Sequence, residues 1–488
     1  MAKRNINRRQ FLGEASCSAV GSMAFLSSVL NLGAINTLAA RPHILDNPGD
    51  YKAMVCILLS GGCDTHNLLV PTETSQYNAY VATRGILALQ QNPTPPGSAQ
   101  LLDLNFNNAG NTYAVHAGLT RARNMFNAGD LSFISNIGTL IEPIANSTEY
   151  NSGTKKLPLG LYSHSDQVMQ WQTSVPQSRS AVGVAGRIAD LLQDMNSIPE
   201  ISLNISLAGK NRFQSGNMYN EYSISNSTTA SNIGFTPFSS SFGDSGFRTM
   251  IRNNAVNNMM EQQYSNIFHK TLGGLGKTSN DAMEKFRIAL QNVVPLTTAF
   301  STSTLSQNMK KIAELMSVRS FLGVKRQIFY VTYGGWDHHD SALTNQANML
   351  PVLSNAMAEF NDSMAEIGLK DNVVTFTISD FARTLTSNGN GTDHAWGGNQ
   401  MIMGGPIQGG QVFGTYPSLA LTNNPYNLSS RGRILPTTSV DQFYAELALW
   451  YGVSPNDLDY ILPNLCNFYS TSCPAPVPSN YMPIGMFS

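Results

Sequence analysis

The chain has 488 residues, more than one ordinary domain of about 150, although large α/β enzymes reach this length as one unit. Charged side chains make up only 12%, and 30 basic against 31 acidic residues leave a formal charge of −1, which offers no global attraction to nucleic acid or anionic lipid. With 42% hydrophobic residues the composition excludes a basic nucleic-acid coat, a collagen and a multispan membrane protein, and it leaves Asn, Ser, Thr and Gly to supply the polar surface.

Lys3, Arg4, Arg8 and Arg9 precede a weakly apolar run from Phe11 to Ala40 that contains no Lys or Arg, the pattern of a signal peptide. Its core, Asn7-Arg8-Arg9-Gln10-Phe11-Leu12, resembles the twin-arginine export signal. Ala39 and Ala40 before Arg41-Pro42 suit cleavage, so residues 1–40 are expected to leave; an uncleaved anchor is the alternative, because the run is long enough to cross a bilayer. Beyond Arg41 no continuous apolar stretch is long enough to span, and a periplasmic or extracellular protein without a stable membrane span is expected. Cys56, Cys63, Cys466 and Cys473 then remain, with Cys466 and Cys473 the preferred bridge and Cys56 an ordinary buried thiol.

Ala53 to Leu59 is continuously apolar and predicts a strand buried on both faces of a parallel sheet, ending in Ser60-Gly61-Gly62-Cys63-Asp64. An amphipathic helix around 118–127 precedes a short strand at Leu131 to Ser135. Residues 202–245, crowded with Asn, Ser, Thr and Gly, read as long surface loops or an inserted lid, and 246–320 as mainly helical; together they form an insertion of about 202–320. Ile328 to Tyr333 repeats the first pattern and ends in Gly334-Gly335-Trp336-Asp337-His338-His339, and Val373 to Ile378 repeats it again before Ser379-Asp380. Between them Leu350, Leu353, Met357, Phe360, Met364 and Ile367 form one helical stripe, with Pro351 placed near a kink or in the first turn. The expected architecture is α/β, a doubly wound, mostly parallel sheet flanked by helices in a single domain over 41–488, with an extended tail at 463–488.

Ligands of such sheets bind beyond the carboxyl ends of the strands, which gathers Asp64, Asp337 and Asp380 at one edge. With His338, His339 and the Asp393-His394 pair of a Gly-rich loop, these oxygen and nitrogen donors favour zinc, manganese, magnesium or iron over soft-ligand ions. An Asp after Gly-Gly is equally a turn former. Ser163 and Asp166 have the spacing of a capping box, and the helix start they mark offers free amides to an anionic group or an activated serine. Arg383, three residues after Asp380, is placed to clamp a phosphate or sulfate oxygen, or to form a structural salt bridge. His116, Trp336 and Trp396 read as pocket lining or as core. No Gly-x-Ser-x-Gly elbow, Walker-type or dinucleotide-binding glycine pattern occurs.

The twin-arginine start, Leu59-Ser60-Gly61-Gly62-Cys63-Asp64-Thr65-His66-Asn67, Val115-His116-Ala117-Gly118-Leu119, Ser163-His164-Ser165-Asp166, Gly334-Gly335-Trp336-Asp337-His338-His339, Ser379-Asp380-Phe381-Ala382-Arg383 and Gly391-Thr392-Asp393-His394 together resemble the bacterial domain-of-unknown-function family numbered 1501. That family is grouped with the alkaline phosphatase and sulfatase superfamily. The resemblance implies that Asp64, Asp337, His339, Asp380 and His394 are metal ligands for one or two divalent ions, with zinc, manganese, magnesium and calcium left open. It implies catalytic roles for Ser163, His164 and Arg383. Phe381 stands where the superfamily commonly has a His, so Asp393 or His338 would have to complete a second site, and no formylglycine motif is found. The implied function is an exported, metal-dependent hydrolase of phosphate or sulfate esters; the alternative is a noncatalytic exported surface or binding protein that keeps the fold. Its expected partners are a small-molecule or polymer ester substrate and the twin-arginine export machinery, with no nucleic acid.

Overall fold

The computed structural model describes residues 51–91, 100–197, 201–229, 251, 255, 258–468 and 481–487. The signal segment expected at 1–40 lies outside the described residues, as do 230–250 of the Asn- and Ser-rich stretch and 469–480 of the tail.

In chain order the strands are β1 (Lys52–Ser60), β2 (Leu69–Pro71), β3 (Leu101–Asp103), β4 (Tyr113–His116), β5 (Leu131–Gly138), β6 (Asn204–Ser206), β7 (Tyr222–Ser223), β8 (Arg326–Gly334), β9 (Val373–Ser379), β10 (Gly398–Gly404), β11 (Val412–Phe413) and β12 (Thr438–Ser439). The helices are α1 (Thr74–Arg84), α2 (Thr120–Ala128), α3 (Ser147–Asn151), α4 (His164–Thr173), α5 (Val184–Leu192), α6 (Ile267–Gln291), α7 (Thr304–Ser317), α8 (Ala342–Glu366), α9 (Val440–Tyr451) and α10 (Leu458–Ile461). The main sheet runs β11-β5-β10-β9-β1-β8-β6-β7, with β12 also beside β5, and β2-β4-β3 form a small antiparallel sheet. β1 is parallel to β8 and to β9, and β6 is parallel to β8 and to β7, whereas β10 runs antiparallel to its neighbours β5 and β9. A mostly parallel sheet flanked by helices is therefore present.

The apolar run of β1 is buried on both faces because two layers cover it. Val55, Ile57 and Leu59 join the core formed by Ile312 and Met316 of α7 and Leu353, Met357 and Phe360 of α8. On the opposite face Phe376, level with Cys56, packs its ring 5.3 Å from Phe443 of α9. Each such side chain contributes about 1.5–3 kcal/mol when fully removed from water. The β8–α8–β9 crossover straddles β1, so the three longest apolar runs become central neighbours.

Two local expectations change, and the tail is placed in part. The amide-rich stretch contributes β6 and β7 to the sheet, because buried amides satisfy its backbone: Gln214 Nε2 donates to the carbonyls of Ile205 (3.1 Å) and Ile328 (2.8 Å). Tertiary pairing overrides weak strand propensity there. Pro351 lies well inside α8, past the first turn, where its ring packs against Gly118. Residues 481–487 of the tail are fastened to the body, the Glu446 carboxylate accepting from the N–H of Gly485 (2.8 Å) and Met486 (2.7 Å). Cys56 and Cys63 are buried free thiols and Cys466 is disulfide-bonded; Cys473 lies outside the described residues.

Candidate metal centre

β1, β8 and β9 end in register, Ser60 opposite Gly334 and Leu59 opposite Ser379, so the loops leaving the three strands meet at one edge. The chain leaves β1 through Gly61 (φ +116°) and Gly62 (φ +79°), a conformation that side chains resist. A Cβ on Gly61 would also stand 2.6 Å from the Asp337 nitrogen. The Gly61 N–H donates to Asp380 Oδ1 (3.0 Å). Tyr162, just before α4, is held in the left-handed region (φ 74°), with its N–H on Gln167 Oε1 (2.8 Å) and its ring 4.1 Å from the Arg433 guanidinium. α4 then begins with His164 over the strand ends.

Imidazoles and one carboxylate converge at that point. His164 Nε2 is 3.5 Å from Asp337 Oδ2, while His339 Nε2 is 3.1 Å and His394 Nε2 3.6 Å from Asp337 Oδ1. The two Nε2 atoms of His339 and His394 are 3.0 Å apart. One donor atom from each of His164, Asp337 and His394 falls within a 4.8 Å group. Each ring is oriented from its other side: His164 Nδ1 contacts Asp380 Oδ2 at 2.7 Å, His394 Nδ1 the Tyr162 carbonyl at 2.8 Å, and His339 Nδ1 Asp393 Oδ1 at 3.2 Å. A carbonyl or carboxylate oxygen only accepts, so each Nδ1 carries a proton, and in the neutral form of each ring Nε2 is left as the metal-binding nitrogen. Donors about 2.0–2.2 Å from one tetrahedral ion stand roughly 3.3–3.6 Å apart, and imidazoles held through their second nitrogen are the usual metal-ligand arrangement. The residues fit a divalent ion.

The electrostatics agree. Burial lowers the His394 pKa, which favours the neutral ring. Burial pulls the Asp337 carboxyl upward, but the hydrogen bond and charge of Arg383 outweigh it and hold the group below the usual range. Neutral imidazole and ionised carboxylate are the forms that bind metal.

His164, Asp337, His339, Asp380 and His394 are thus brought together, and Asp64 is not among them. Beyond the glycine turn the chain dips inward, and Asp64 is fully buried in an ion pair with Arg84, itself bonded to Asn67 Oδ1 (3.1 Å) and the Thr384 carbonyl (3.1 Å). Asp380 lies behind His164 as its orienting partner. Arg383 is fully buried, donating to the carbonyls of Gly62 (2.7 Å), Thr392 (3.1 Å) and Gly61 and to Asp337, so it braces the two loops and faces away from solvent. The capping box expected at Ser163 does not form: its side chain bonds no backbone amide of α4 and lies 3.2 Å from Ser165 Oγ, while Asp166 pairs with Arg179 (2.8 Å). His338 is buried against Trp336, and Trp336, Trp396 and His116 are core residues. A cleft of about 580 Å³ opens beside the centre, lined among others by His164, Ser165, Met169, Gln172, Arg212 and Asp337. Sequence reasoning missed the Tyr162 carbonyl, which has no side-chain signal, and Gln172 and Arg212, which lie in no motif; Asp393, expected as a possible ligand of a second site, instead contacts His339 Nδ1.

A mostly parallel sheet flanked by helices, with imidazoles and carboxylates meeting beyond its central strand ends, defines an α/β protein with a candidate metal centre. Residues 264–459 match the family described as "Protein of unknown function (DUF1501)", a stretch that carries Asp337, His339, Asp380 and His394. No curated protein matches the chain. Similar solved structures include Ps i-CgsB in complex with k-i-k-neocarrahexaose, at 9% identity and TM-score 0.31 over 90% of this chain and 75% of that one. Others are the PsFucS1 sulfatase from Pseudoalteromonas sp. (8%, TM-score 0.31, 76% and 66%) and the lipoteichoic acid synthase LtaP from Listeria monocytogenes (8%, TM-score 0.29, 93% and 82%). Among the described residues no helix is long and apolar enough to cross a membrane.

Proposed function

We propose that the protein is an exported, metal-dependent hydrolase of phosphate or sulfate esters. The observation that carries the proposal is the convergence of three imidazole Nε2 atoms on the Asp337 carboxylate, each ring fixed through Nδ1 by a separate acceptor. In this reading His164, Asp337 and His394 hold the ion, His339 stands beside it against Asp337, Asp380 orients His164, and Arg383 positions Asp337. A divalent ion bound there supplies Lewis-acid stabilisation of an ester oxyanion and a lowered pKa for water. The Ser165 hydroxyl, at the positive end of α4 and 3.2 Å from that of Ser163, furnishes a hydroxyl on the wall of the cleft. The Arg8-Arg9 signal supports export, with the export machinery as a partner. Zinc suits a two-imidazole, one-carboxylate donor set with an open fourth position.

Phe381 favours a second reading. Its ring packs 4.7 Å from His164 and 4.4 Å from His394, which closes that side of the centre and supports a single-ion binding protein without turnover. Metal content of the purified protein, followed by hydrolysis of 4-nitrophenyl phosphate and 4-nitrophenyl sulfate with and without chelator, separates the two. Chelator-sensitive turnover lost in Asp337→Ala supports the enzyme, bound metal without turnover supports the binder, and absence of metal refutes both.

A further inference from the structure

We infer that Arg212 is a specificity residue that reads a second anionic group on an elongated substrate, remote from the ester at the metal centre. The inference rests on the proposed reading only in taking this cleft as the substrate site. Arg212 belongs to the β6–β7 loop, whose backbone is tightly fixed. Gln172 Oε1 accepts from the N–H of both Arg212 (2.9 Å) and Phe213 (3.1 Å). Phe213 is buried against the rings of Tyr330 (5.9 Å) and Tyr444 (6.0 Å), and Asn211 Nδ2 donates to Gln214 Oε1 (3.0 Å). A Cβ on Gly183 would collide with the Arg212 carbonyl, so neighbouring backbones close on the loop.

Against this rigid mount, Arg212 lines the cleft, and its guanidinium makes no hydrogen bond or ion pair among the described residues. It does not neutralise the carboxylates of the cleft, since Asp337 is engaged by Arg383 and His339 and Asp380 by His164 and Gly61. A fixed backbone holds the side chain over the cleft, and the rigid guanidinium fork can meet two oxygens of a sulfate or phosphate at once, which is where Arg gains over Lys. Its distance from the centre is set by α4. His164, Ser165, Val168, Met169 and Gln172 line the cleft along one helix face, and eight residues at about 1.5 Å each place Gln172, which holds Arg212, ~12 Å along the axis from His164. Val168 and Met169 form an apolar wall between the two ends. The ligand that fits has an oxyanion at each end, on the order of 10 Å apart, and an apolar face between them. Sulfate and phosphate share this chemistry.

Octane-1,8-diyl bis(sulfate) and bis(phosphate), each compared with its mono-anionic octyl ester, test the second anion in both chemistries by calorimetry on the zinc-supplemented protein. The bis-anion of at least one pair should bind about tenfold tighter than its mono-anion. That advantage should vanish in Arg212→Ala and return in part in Arg212→Lys, with unchanged melting temperature. Equal binding of bis- and mono-anions by the wild type, no binding of any probe, or an advantage that survives Arg212→Ala overturns the inference. An Arg212-dependent advantage in a protein that hydrolyses no ester sinks the hydrolase reading and leaves the inference standing. Ester hydrolysis without the advantage does the reverse.

Discussion

Asp380→Asn perturbs the centre through a residue placed behind its ligand. Asp380 Oδ1 accepts the Gly61 N–H at 3.0 Å and Oδ2 meets His164 Nδ1 at 2.7 Å. In the variant the amide oxygen keeps the Gly61 bond, which turns the NH2 group towards His164. Two donors then face each other, so the imidazole must move its proton to Nε2 or rotate, and either change removes the lone pair aimed at the ion. Loss of such an orienting partner costs 10–100-fold in metal affinity as a rule, or about 1.4–2.8 kcal/mol. Competition of the purified protein with a chromophoric chelator for zinc measures this directly, with His164→Ala as the reference for complete loss of the ligand. Unfolding of the metal-free proteins provides the control for any effect of removing a buried charge. Zinc affinity within twofold of wild type in Asp380→Asn, beside a clear loss in His164→Ala, would refute the tautomer argument.

The same geometry sets other outcomes. Arg383→Met leaves several loop carbonyls and Asp337 without their buried partner; urea unfolding should show a loss of about 3–5 kcal/mol, and a loss below 1 would mean that the guanidinium does not brace the loops. Asp441, at the start of α9, is pushed up by burial to about 7, against the lowering effects of Ser439 and Ser174. Because the folded pKa exceeds the unfolded one, near 3.9, its contribution is fully present below the unfolded value and is lost as pH rises through about 7. Asp441→Asn should therefore flatten the stability curve between about pH 4 and 8 by on the order of a few kcal/mol, and parallel wild-type and variant curves would count against it. Chelator dialysis followed by zinc at a hundredfold excess over Kd should raise the unfolding free energy by about 2.7 kcal/mol. His394→Ala should show no such rise, and a metal-insensitive wild type would count against the centre.

Much of the scaffold was legible in the chain. The apolar runs at 53–59, 328–333 and 373–378 could become only strands covered on both faces, and the stripe from Leu350 to Met364 only a helix lying on them. Asp337, His339, Asp380 and His394 stood out because each follows a strand or sits in a Gly-rich loop near the same edge. Periodicity did not reveal β6, β7 or β10, since Asn204–Ser206 and Gly398–Gly404 have little strand propensity and form through partners far along the chain. Nor did it separate Asp64 from its fellow acids. By itself the sequence determined the local elements and the set of acid and imidazole side chains at their ends, because burial periodicity and turn chemistry act over a few residues. Only the tertiary structure decided which of those groups share a point in space. Arg84 captures Asp64, Arg383 captures Asp337, and His164 arrives from a separate helix, each by a contact between residues 20 to 216 positions apart that no local pattern encodes.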